Sequence, residues 1–128
     1  MASKVALLFE DNPLCRDLMT EILREKDFKV TAFADPTHYL ADKIDCHCCA
    51  DTACADALIT DNQMPGMTGL ELLQRFDKNG CKLPNHRKAI ISGSWSNEEY
   101  HQARQLGCKI FHKPASIEEI HQWLDGQH

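Results

Sequence analysis

Glu10-Asp11, Asp61, Ser92 and Lys113 each close a short apolar run. The runs are Val5-Ala6-Leu7-Leu8-Phe9, Ala57-Leu58-Ile59-Thr60, Ala89-Ile90-Ile91 and Ile110-Phe111-His112. If they are parallel strands of one sheet, their carboxyl ends share the edge where open α/β sheets bind ligands. Carboxylates from Glu10, Asp11 and Asp61, the Ser92 hydroxyl and the Lys113 ammonium would then converge. Two unit charges about 4 Å apart repel by roughly 4 kcal/mol at an effective dielectric near 20. Carboxylates gathered at that cost require a cation, so the pattern calls for a bound divalent metal.

The elements that would position these groups alternate along the chain. Asn12 is placed to cap a helix with Pro13 at its first position. Leu14, Leu18 and Ile22, flanked by Cys15, Met19 and Leu23, form its apolar stripe to about Lys26. From 28 to 33, Phe28, Val30 and Ala32 alternate with Lys29 and Thr31 as in a half-exposed strand. Asp35-Pro36 opens a second helix carrying Tyr39, Leu40 and Ile44.

Thr68-x-x-Glu71, Ser96-x-x-Glu99 and Ser116-x-x-Glu119 read as capping boxes, in which hydroxyl and carboxylate satisfy orphan amides reciprocally. Apolar residues follow each at helical spacing: Leu70, Leu73 and Phe76; Tyr100, Ala103 and Leu106; Ile117, Ile120 and Trp123. Gly107 is a fitting terminator. Five strand-helix repeats argue for a parallel sheet covered on both faces. The runs at Val5, Ala57 and Ala89 are apolar enough for central strands, leaving those at Phe28 and Ile110 outside.

The 128 residues, 43% hydrophobic and 26% charged, suit one globular domain spanning 1–128. No stretch is long enough to span a membrane, and no signal-peptide pattern is present. A net charge of −5 without a basic tract argues against direct nucleic-acid binding. Seven cysteines without an export signal fit a reduced, cytoplasmic protein better than a disulfide framework.

Glu10-Asp11-Asn12-Pro13, Asp61-x-x-Met64-Pro65-Gly66-Met67-x-Gly69, Ser92-Gly93 and Lys113-Pro114 together resemble the response-regulator receiver domain of two-component signalling. The likeness covers essentially the whole chain. It implies a flavodoxin-like (βα)5 doubly wound α/β fold with a five-stranded parallel sheet in the order 2-1-3-4-5. It implies that Asp61 accepts a phosphoryl group from a phosphohistidine of a sensor kinase or histidine phosphotransfer protein. By the same resemblance Asp11, Asp61 and the backbone carbonyl of Gln63 are direct Mg²⁺ ligands. Glu10 is the outer acidic residue, Ser92 the hydroxyl that binds a phosphoryl oxygen, and Lys113 its cationic partner. Pro114 matches the proline whose cis peptide orients that lysine.

Such a domain is a phosphoacceptor that catalyses only its own phosphotransfer and dephosphorylation, and switches a face for an unidentified downstream protein. That face is expected at about 98–123, and no output domain follows in this chain. Chemistry agrees: magnesium takes carboxylate and carbonyl oxygens and keeps waters, and an aspartate nucleophile forms an acyl phosphate.

Two departures stand out. Ser92 and Lys113 are 21 positions apart, one fewer than the family leads one to expect, with the shortening placed around Gly107-Cys108-Lys109. Receivers commonly carry an aromatic three residues before the lysine; here that residue is Ile110, and Phe111 comes one later. Either Phe111 takes the switch role through a strand shift, or the switch is non-aromatic and Phe111 is core.

The other departure is an insertion at about 45–55 bearing Cys46, His47, Cys48, Cys49 and Cys54. These could bind zinc or another soft metal, or act as a redox pair, making the chain a metal- or redox-sensing interaction module on a receiver scaffold. Their irregular spacing favours a cysteine-rich loop in a reducing compartment. Cys15 and Cys108 read as small core residues. A haloacid-dehalogenase-like phosphatase also uses an aspartyl nucleophile, but Gln63 stands where that family needs a second aspartate.

Overall fold

The computed structural model describes residues 4–34, 55–78 and 82–126. Its strands are β1 (Lys4–Phe9), β2 (Phe28–Phe33), β3 (Ala57–Asp61), β4 (Lys88–Ser92) and β5 (Lys109–His112). The described α-helices are α1 (Pro13–Arg24), α2 (Gly69–Lys78), α3 (Asn97–Leu106) and α4 (Ile117–Asp125), with a 3₁₀ turn at Asn85–Arg87. The helix expected from Asp35 and the Cys46–Cys54 cluster lie outside the described residues.

All strand pairs are parallel, in the order β2-β1-β3-β4-β5. This is the flavodoxin-like arrangement that the resemblance implied. Every residue of β3 and β4 is buried, as befits strands covered on both faces, whereas β2 and β5 keep exposed positions at the edges. Strand side chains alternate between faces, so each strand feeds two cores. Leu7, Phe9, Leu58 and Ile90 pack with Leu70, Leu73 and Phe76 of α2 and Ala103 of α3. Ala6, Leu8, Ile59, Ile91 and Phe111 pack with Ile22 and Leu23 of α1 and Ile120 and Leu124 of α4.

Local chemistry explains the helix ends. Asn12 Oδ1 accepts from the Leu14 and Cys15 amides at 3.0 and 3.1 Å, and Pro13 follows it. Thr68–Glu71 and Ser96–Glu99 close reciprocal capping boxes. At α4 only the hydroxyl half forms, Ser116 Oγ accepting from Glu119 N at 3.1 Å. Gly107, at φ 89°, ends α3 in the left-handed conformation that glycine adopts without strain. Two residues, Gly107 and Cys108, then suffice to reach β5, where the sequence placed its shortening.

The stripe expected on α1 is only half buried. Ile22 and Leu23 enter the core, but Leu14 is 80% and Leu18 58% exposed. The first turns of α1 follow the carboxyl end of β1, where little sheet remains to cover them. Cys15 is exposed there too and is not a core residue, whereas Cys108 is buried as expected.

Candidate functional site

The carboxyl ends of β1, β3, β4 and β5 carry the site. The sheet order reverses at the β1–β3 junction, so the connections after these strands leave toward opposite faces and open a crevice between them. Glu10 follows β1, its backbone held by a 3.0 Å bond from its amide to the Phe33 carbonyl. Asp61 is the last residue of β3. Each is only 4% exposed.

One carboxylate oxygen from each of Glu10, Asp11 and Asp61 lies within 4.8 Å of the others, with Asp11 on the open side. Lys113 Nζ stands 3.2 Å from Asp61 Oδ1 and 3.8 Å from Glu10 Oε2. The Lys113–Pro114 peptide is cis. One monovalent ammonium faces three carboxylates, so negative charge remains in excess. Asp61 Oδ1 is buried at ion-pair distance from Lys113 yet has no aligned hydrogen-bond donor among the described residues. A hard divalent cation fits this donor set: oxygen ligands only, two carboxylates nearly dry, one open to water.

Titration behaviour follows. Burial pushes the Glu10 carboxyl above its ordinary range, and the Asp61 and Asp11 charges push it further. The Asn12 amide, donating to Oε1 at 3.1 Å, and Lys113 oppose this without reversing it. For Lys113, burial works against the charge, but the Asp61 carboxylate and then Glu10 outweigh it, and the net shift is upward.

Ser92 ends β4 on the strand beside Asp61 and is fully buried. Its hydroxyl donates to the Ser94 carbonyl and accepts from the Ser94 amide, both at 3.1 Å. Gln63 is exposed in the loop after β3. Gly69 explains the last position of the Met64-Pro65-Gly66-Met67-x-Gly69 run. A Cβ there would lie 2.5 Å from the Asp61 carbonyl oxygen and 2.9 Å from Thr60 Cγ2, so the first turn of α2 abuts the acceptor strand only because position 69 has no side chain.

Phe111 is 2% exposed and packs against Trp123, ring centroids 5.9 Å apart. It lies in the α1–α4 core, on the sheet face opposite Ile90 and hence opposite the side chain of Ser92. Phe111 is therefore a core residue here, and Ile110 holds the half-buried place on the Ser92 side. Sequence reasoning passed over Asn62, which is 1% exposed beside the acceptor. Its only sequence signal is its place as the third polar residue in a row, after Thr60 and Asp61, at the end of the β3 run.

Comparison with known proteins agrees with this geometry. The chain belongs to the response regulator receiver domain family, whose model matches residues 6–125. Among solved structures it is similar to the chemotaxis protein CheY4 of Vibrio cholerae, at 22% identity over 99% of this chain and 100% of that one, with a TM-score of 0.75. It is also similar to full-length FixJ from B. japonicum, at 21% identity, TM-score 0.77, over 99% of this chain and 58% of that one. The N-terminal domain of an uncharacterized protein from Wolinella succinogenes is 25% identical over 97% of this chain and 92% of that one, with a TM-score of 0.75. No significant match occurs among curated protein sequences. No helix among the described residues is long and apolar enough to cross a membrane.

Proposed function

We propose that this receiver domain takes a phosphoryl group onto Asp61 from the phosphohistidine of a sensor kinase or histidine phosphotransfer protein. The observation that carries this reading is the convergence of Glu10, Asp11, Asp61 and Lys113 at the carboxyl edge of the sheet. A carboxylate oxygen of Asp61 attacks phosphorus and forms the new O–P bond. The N–P bond breaks, and its electron pair returns to the donor imidazole.

Glu10, Asp11, Asp61 and the backbone carbonyl of Gln63 would hold Mg²⁺, Glu10 as the outer residue. The ion would supply charge neutralisation for carboxylates and phosphoryl oxygens. Lys113, already beside Asp61, pairs with a phosphoryl oxygen once the acceptor charge is consumed. Ser92 binds another phosphoryl oxygen, for which its hydroxyl must leave Ser94. That exchange makes the segment after β4, and the face spanning 98–123, the part that differs between the two states and meets a downstream protein.

A protein donor must approach along exposed surface. Leu14 and Leu18 provide an apolar wall, and a groove of about 400 Å³ between Cys15, Met19, Ile120 and Lys113 opens beside Glu10. Incubation with Mg²⁺ and a small acyl-phosphate donor tests the reading. An alkali-labile adduct should form on the parent and not on Asp61→Asn; equal labelling of both removes Asp61 from the role.

A further inference from the structure

Asn62 uses every polar group it has. Its amide donates to the Ile91 carbonyl at 3.0 Å, and its carbonyl accepts from the Gly69 amide at 3.0 Å. Side-chain Oδ1 accepts from the Leu70 amide at 3.1 Å, in the first turn of α2. Side-chain Nδ2 donates to Glu99 Oε2 at 2.9 Å, in the first turn of α3. One buried side chain, covalently next to Asp61, thus ties together the N-termini of both helices on that face of the sheet.

The Glu99 end of this link is charged and fully engaged. Its Oε1 accepts from the Ser96 amide at 3.4 Å to complete the α3 capping box, leaving Oε2 to Asn62. The Asn62 amide, opposed in part by burial and aided by Ser96, holds this carboxyl below its ordinary range. Trp95 sits just before α3, its ring 6.3 Å from Tyr100 and 6.4 Å from His112. Its indole N–H donates to the Phe111 carbonyl at 3.3 Å. His112 is the β5 partner of Ser92.

We propose that Asn62 is a positioning residue that couples the chemical state of Asp61 to α3 through Glu99, with the Trp95–Tyr100–His112 surface as the part that moves. This rests on the acceptor reading above. In this proposal the Asn62–Glu99 link is kept in the unmodified arrangement and given up in the modified one, so breaking it shifts the equilibrium toward the modified state.

Titration of the full chain with Mg²⁺ and beryllofluoride, a phosphoryl mimic, tests this by following both indole N–H resonances in NMR spectra. Trp123, whose indole donates to the His86 carbonyl, supplies the second resonance. In the parent, saturation should move the Trp95 resonance. Glu99→Ala and Asn62→Asp should each tighten the beryllofluoride midpoint by roughly tenfold to a hundredfold, the worth of one hydrogen bond to a charged group. Combining Asn62→Asp with Glu99→Gln reverses donor and acceptor and should restore the parent midpoint. Ser96→Ala, which weakens the helix cap but keeps Asn62–Glu99, should leave the midpoint within twofold. Midpoints of Glu99→Ala and Asn62→Asp that are unchanged or weaker, or a double variant no closer to the parent, would overturn the coupling while leaving the acceptor reading intact. A parent that binds no beryllofluoride would instead remove the acceptor reading itself.

Discussion

Lys113 Nζ lies closer to Asp61 Oδ1, at 3.2 Å, than to Glu10 Oε2, at 3.8 Å. The lysine side chain is 34% exposed, so solvent screens the pair and its stabilising value is about 0–1 kcal/mol. Its value is chemical. Lys113→Met should lower stability by no more than about 1 kcal/mol at neutral pH while lowering acyl-phosphate labelling by on the order of 100-fold. The raised lysine pKa has a sign consequence. Its contribution is complete below the unfolded value of 10.5 and fades as pH rises through the folded value, so the two proteins should match in stability only at strongly alkaline pH.

Glu10 gives the opposite prediction. Its folded pKa is raised above 4.5, so the fold favours the protonated form and bears a penalty once pH exceeds the folded value. In the presence of a chelator, Glu10→Gln should be more stable than the parent at pH 7. The gain should disappear below pH 4.5. Adding Mg²⁺ should stabilise the parent, by about 2.7 kcal/mol at a hundredfold excess over Kd, and the variant less. Thermal melts across pH, with and without Mg²⁺, read both effects.

Gly69→Ala places a methyl group 2.5 Å from the Asp61 carbonyl oxygen, closer than real Cβ contacts come. Either α2 or the end of β3 must move. We expect a loss of about 1–3 kcal/mol in denaturant unfolding, together with reduced labelling of Asp61. A neutral effect on both would show that the two backbones can separate freely.

Thiol chemistry should separate two cysteines that the sequence treats alike. Burial pushes the Cys108 thiol up to about 11, and its Sγ lies 3.4 Å from the Ala103 carbonyl. Cys15 is exposed at the start of α1. Peptide mapping after brief alkylation of the native protein should find Cys15 modified and Cys108 intact until unfolding.

Much of this was legible because strand ends and helix starts carry local signals. The nearly continuous apolar runs at Ala57 and Ala89 fit central strands, and Asn12-Pro13 suits the start of a helix. What stayed hidden depends on distance. Leu14 and Leu18 share a helical stripe with Ile22, but whether sheet lies beneath them is a property of the fold. Ser116–Glu119 matches the capping spacing and forms half the motif, since the carboxylate is free to face water instead. Asn62 has partners 8 and 37 positions away, so no local pattern could assign it. Phe111 illustrates the cost of a one-residue offset: alternation along β5 sends it to the other face.

Reductive trapping offers the most direct test of the acceptor itself. After incubation with Mg²⁺ and an acyl-phosphate donor, borohydride reduces an aspartyl phosphate to the alcohol, homoserine, which peptide mass spectrometry locates. Homoserine is expected at position 61, dependent on Mg²⁺. Trapping at another carboxylate, with Asp61 recovered intact, would contradict it.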